Sequence, residues 1–129
     1  METTFFQKDY ITIKYHNEHH ILILEWLNVT TSSEFREGMN VVLEAMQYFK
    51  TGKLVCCLTK ASALHPDDQQ WVAVDWHNRA LTIGHSHVAI VLAQDIFSTM
   101  AVEDTMSNVV LPTSYFDNLN NAIDWIIQF

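Results

Sequence analysis

Seven histidines are the first chemically capable side chains in this chain, and most of them fall in clusters. His16, His19 and His20 crowd one turn, and His85 and His87 would share a strand face. Imidazoles bind metals, but such sites normally add a carboxylate or thiolate and partners that hold the ligands in place. No helical His-x-x-x-His pair occurs, and Glu18 is the one acid near either cluster at ligand spacing. The clusters therefore read as exposed turn histidines, and no metal is assigned. Nucleophilic catalysis would need a serine or cysteine on a sharp turn beside a base. Ser62 and His65 make only a loose pair, and no Gly-x-Ser-x-Gly is present. Three glycines, Gly38, Gly52 and Gly84, lie too far apart for a phosphate loop or a dinucleotide fingerprint. The adjacent carboxylates Asp67 and Asp68 sit where a helix should begin, and there they compensate its dipole. Cys56 and Cys57 are adjacent, would point to opposite faces of a strand and lie in an apolar run, so they read as small hydrophobes rather than a disulfide. No catalytic set and no cofactor site assembles from these residues, and the expectation is a chain that is not an enzyme.

The elements that would carry these residues follow from hydrophobic periodicity. Tyr10 to His16 alternates apolar and polar, and Ile21 to Trp26 follows after a short polar turn, which predicts an antiparallel hairpin. Thr31 and Glu34 fit a capping box. The helix they open should run to about Phe49, with Phe35, Met39, Val42, Leu43, Met46 and Phe49 on one stripe and Gly52 as its stop. Leu54 to Leu58 and Val88 to Ala93 are continuously apolar, as in strands covered on both faces. Pro66 opens a second helix that ends before Gly84. Asp95 to about Asn108 is helix-like without a clean stripe. Ser114 to Phe116 is a short strand, and Asp117 or Asn118 caps a last helix. The order β-β-α-β-α-β-α-β-α predicts a single α/β domain over residues 1–129, with a mostly parallel five-stranded sheet flanked by four helices.

On the second helix, a regular wheel turns Val72, Ala73, Trp76, Ala80 and Ile83 toward the sheet. It leaves Trp71, Val74 and Leu81 as a second apolar arc, flanked by Asp75 and Arg79 at ion-pair spacing. Trp125 points away from the apolar stripe of the last helix. Tryptophan and contiguous apolar surface mark partner or ligand surfaces. Trp71, Val74, Asp75, Arg79, Leu81 and Trp125 are therefore the candidate interface or ligand groove.

Composition excludes several function classes. The chain has 129 residues, 15 acidic and seven basic, for a formal charge of −8. An acidic chain with no basic run repels phosphate, which argues against nucleic-acid binding. No apolar run approaches the roughly 20 residues of a membrane span. The first residues carry no basic segment followed by an apolar stretch, so no signal peptide is expected and the cytoplasm is the default compartment.

A longer pattern runs through the middle and end of the chain. Pro66-Asp67-Asp68-Gln69-Gln70-Trp71, Trp76 and Arg79-Ala80 are followed by Val88-Ala89-Ile90-Val91-Leu92, then Asp95-Ile96-Phe97, then Tyr115-Phe116-Asp117 and Trp125. Over about Phe35 to Trp125 this resembles the STAS/SEC14-like proteins related to stage II sporulation protein AA, an anti-sigma factor antagonist. The resemblance implies a STAS-type fold with a hairpin-led sheet. The antagonists carry a phosphorylatable serine in an Asp-Ser-Ser-Gly-like motif. Here Thr59 to Pro66 lacks that motif, and Ser62 is the only serine near the place. Two functions are consistent with the whole reading. One is a non-enzymatic regulatory or protein-interaction module, homodimeric through the arc at Trp71. The other is a carrier or sensor for a small apolar or lipid-like ligand, as the SEC14-like kinship suggests, with Met100 and Met106 of the uneven third helix closing a pocket.

Overall fold

The computed structural model describes residues 2–61, 64–92 and 111–129. Six strands form one sheet in sequential order. They are β1 Glu2–Lys8, β2 Ile11–His16, β3 Ile21–Trp26, β4 Lys53–Cys57, β5 His87–Val91 and β6 Thr113–Phe116. β1, β2 and β3 are mutually antiparallel, whereas β3, β4, β5 and β6 run parallel. The expected five-stranded, mostly parallel sheet is thus corrected to a six-stranded mixed one. The strand that periodicity missed is β1, which adds a second antiparallel pair. Its register against β2 slips between Thr4 and Phe6, so Phe5 is a bulge residue. The bulge lets the consecutive Phe5 and Phe6 both pack on the same core, which no strictly alternating strand could do.

Three helices flank the sheet among the described residues. The first, α1, spans Ser32–Phe49 behind a complete capping box, with Thr31 N–H donating to Glu34 at 2.9 Å and Glu34 N–H to Thr31 Oγ1 at 3.2 Å. It ends as expected, but the left-handed residue is Lys50 (φ 55°, ψ 47°) rather than Gly52. Gly52 serves a different purpose: a Cβ there would lie 1.9 Å from the Gly84 carbonyl oxygen. The second helix, α2, is continuous over Pro66–Trp71, Val72–Trp76 and His77–Thr82, and its middle piece is π-helical. Within it the His77 N–H donates to the Val72 carbonyl, five residues back. The last helix, α3, spans Leu119–Ile126 and is capped by Asn118. The expected fourth helix, Asp95 to Asn108, lies outside the described residues, as does Ser62.

The sheet separates two apolar clusters. On one face, α1 and α2 cover Ile11, Ile13, Leu22, Leu24, Leu54, Val88 and Ile90. On the other, Ala122 and Ile126 of α3 cover Ile21, Ile23, Val55, Cys57, Ala89 and Val91. The alternation in β4 and β5 sends Cys56 toward α1 and α2 and Cys57 toward α3, and both thiols are free.

Candidate functional site

An apolar pocket of about 80 Å³ opens between the sheet, α1 and α2. Its floor is Leu54, Cys56, Val88 and Ile90, every second residue of β4 and β5. Phe35 and Met39 of α1 and Val72 and Trp76 of α2 form its walls, with Trp26 at the end of β3. Trp76 holds the two helices together, because its indole N–H donates to the Met39 carbonyl at 2.7 Å. Burial of that bond makes it a fixed strut for the pocket roof.

Among the described residues, the only polar side chains in this lining, apart from the thiol and the tryptophan N–H groups, are His77 and His85. His85 donates from Nδ1 to the Gly52 carbonyl at 2.8 Å and meets the Trp76 ring edge-on at 5.8 Å. Burial pushes its imidazole pKa down to about 4, so it is neutral near pH 7. Burial lowers the His77 pKa as well. The Nε2 of His77 is buried and has no hydrogen-bond partner, a condition it shares with His16 Nδ1 among the described residues. Burial first and the neighbouring Cys57 second push the Cys56 thiol up to about 12, which disfavours the thiolate a nucleophile needs.

His77 is a pocket residue that a regular helical wheel leaves at the margin of the inward stripe of α2. On a regular α-helix it would lie about 140° from Val72 and about 40° beyond Ala73, outside the edge of the inward stripe. The wider π turn brings position i+5 back over position i, so Val72, Trp76 and His77 are all buried.

Six residues were singled out by sequence, and the structure distributes them over both faces of the sheet. Trp71 is half-buried beside α1, with its ring 6.3 Å from Phe35 and the guanidinium groups of Arg36 and Arg79 at 5.1 and 5.6 Å. Asp75 accepts from Arg79 at 2.9 Å, and Arg79 also reaches Asn40 of α1 at 2.9 Å. Val74 and Leu81 face solvent with 55% and 40% of their surface exposed. Trp125 stands on the opposite side of the sheet among Phe116 and Phe129. Five of the six therefore surround the outer surface of α2, and Trp125 is not part of that surface.

Other candidates resolve into local structure. His20 donates to the Lys50 carbonyl at 2.9 Å and is bonded to the Tyr15 hydroxyl at 2.6 Å, tying the hairpin turn to the end of α1. His16 and His19 stack at 5.0 Å. No group of three His, Cys, Asp or Glu side chains gathers as a metal site among the described residues. His65 caps α2 by accepting from Asp67 N–H. Asp68 is buried and accepts from Ser32 at 2.7 Å and Arg36 at 2.8 Å, so it joins α1 to α2. Burial alone would raise its carboxyl pKa, but these two partners outweigh it and hold the group below the usual range.

No protein-family model matches the chain, and no curated protein sequence does either. A solved structure does. An uncharacterized protein from the DUF3478 family of Shewanella loihica PV-4, described as having a SpoIIAA-like fold, superposes with a TM-score of 0.62. It is 16% identical, and the match covers 90% of this chain and 91% of that one. No helix among the described residues is long and apolar enough to cross a membrane. The mixed sheet, the helices on both faces and this superposition give the chain a SpoIIAA-like α/β fold.

Proposed function

We propose that the chain is a non-enzymatic binding module, a sensor or carrier whose ligand is a small apolar molecule held between α2 and the sheet. The observation that carries this reading is the pocket of about 80 Å³ lined almost wholly by apolar side chains. Close-packed interiors leave few voids larger than a water molecule, and apolar voids stay dry and accept apolar guests. The SpoIIAA-like fold is compatible with a regulatory role. Two free cysteines suit a reducing compartment such as the cytoplasm.

A series of straight-chain alcohols from 1-propanol to 1-octanol tests the reading, with the fluorescence of Trp26 and Trp76 as the signal. Affinity should rise about fourfold for each added CH2 and level off once the pocket is filled. The Cys56→Leu variant, which pushes a larger side chain into the pocket, should bind at least tenfold more weakly while remaining folded. Absence of saturable binding, or unchanged binding in Cys56→Leu, defeats the proposal.

The exposed pair Val74 and Leu81 favours a second reading, association of two copies through the outer face of α2. Light scattering should then give a dimer mass for the native chain and a monomer mass for a Val74→Lys, Leu81→Lys double variant. A monomer at high concentration in the native chain rules this reading out.

A further inference from the structure

His77 is 6% exposed, it lines the pocket, and its Nε2 has no hydrogen-bond partner. Leaving a buried polar nitrogen unpaired forfeits its hydration with nothing in return, and native structures seldom do so without a reason. The other pocket imidazole, His85, already spends its Nδ1–H on the Gly52 carbonyl, and its Nε2 is not among the buried atoms left unpaired. We propose, resting on the pocket reading above, that His77 is the polar anchor of the pocket and that its ligand is a small neutral amphiphile. Such a molecule has an apolar body of a few carbons and a single hydroxyl or carbonyl group.

Three features select this chemistry. Among the described residues the lining contains no Lys, Arg, Asp or Glu, so an ionised carboxylate, phosphate or amine would be desolvated against them without a counter-charge. A neutral imidazole offers either a donor or an acceptor at Nε2 according to its tautomer, which suits a hydroxyl or a carbonyl equally. The volume of about 80 Å³ is several times the roughly 10–15 Å³ that holds one water, which limits the enclosed part of the ligand to a handful of heavy atoms. The π turn supplies the geometry, because it brings His77 into the same wall as Val72 and Trp76.

The test compares 1-pentanol, 1-chloropentane and pentanoate on the native chain and on His77→Phe and His77→Gln, by calorimetry. The chloride keeps the chain but hydrogen-bonds poorly. Relative to 1-chloropentane, 1-pentanol should lose about three- to tenfold in affinity in His77→Phe, the worth of one net hydrogen bond. His77→Gln, which still hydrogen-bonds, should recover part of that loss. Pentanoate should bind the native chain at least tenfold more weakly than 1-pentanol. In the native protein, the nitrogen-15 resonance of His77 Nε2 should move with 1-pentanol and stay in place with 1-chloropentane, a readout that needs no variant to fold. An alcohol-to-chloride ratio unchanged in His77→Phe, or an unmoved Nε2 resonance with bound alcohol, overturns the anchor while leaving an apolar pocket standing. Tight binding of pentanoate overturns the neutral ligand class. Failure of both uncharged probes on the native chain removes the pocket reading and this inference together.

Discussion

His85 shows how one buried side chain couples the pocket to pH. Its folded pKa of about 4 lies below the ordinary value of 6.5, so the folded chain favours the neutral ring more than the unfolded chain does. The stability this represents is complete above about pH 6.5 and is lost as pH falls toward 4, because the unfolded state takes up the proton first. Burial depresses His77 and His87 in the same direction. We expect chemical denaturation to show roughly 3 kcal/mol of stability disappearing over that interval on account of His85. A His85→Gln variant should have a visibly flatter pH profile, and an unchanged slope would contradict the assignment. Sequence made the inward residues of α1 legible, since Phe35, Met39, Val42, Leu43 and Met46 recur with helical period and are buried. It paired His85 with His87 and read both as exposed, and it did not single out His77, whereas His77 and His85 are both buried. A buried histidine carries no periodic signature, and one of the two depends on a turn that is not α-helical.

At the scale of elements, capping and apolar runs were readable, while the interruptions of regular geometry were not. The capping box of α1, the proline start of α2 and the continuous apolar strands β4 and β5 all form where local chemistry places them. The bulge in β1 and the π turn in α2 each add one residue to a repeating pattern, and both therefore shift residues off the face that a fixed period assigns. Gly52 was read through its helix and is explained by its neighbour. Its carbonyl accepts from Ser86 N–H at 2.9 Å and from His85 Nδ1, while the missing Cβ admits the Gly84 backbone. Gly52→Ala must push those two segments apart, since backbone rather than a flexible side chain stands in the way. We expect a loss of about 2–4 kcal/mol, on the scale of the larger single-residue effects, together with weaker binding of 1-hexanol, because His85 shares the displaced loop. Thermal denaturation checks the first, and fluorescence titration the second.

At the scale of the whole molecule, the described residues place two helices and a pocket on one sheet face and the short α3 on the other. The chain carries a surplus of acid over base, −8 in formal charge, and no metal-type cluster gathers among the described residues. The parallel half of the sheet carries the pocket floor, and the antiparallel half ends in β1. That outermost strand begins with Glu2, ends with Lys8 and is kinked at Phe5. Bulged, charged margins are poor templates for a strand from a neighbouring molecule. The kink that seats two phenylalanines on the core thus also acts as a quality-control device against fibrous self-assembly. Removing Phe5 would straighten the strand, and incubation of that deletion variant with thioflavin T should then give a fluorescence rise that the native chain does not show. If the native chain and the variant stain alike, the kink serves packing alone.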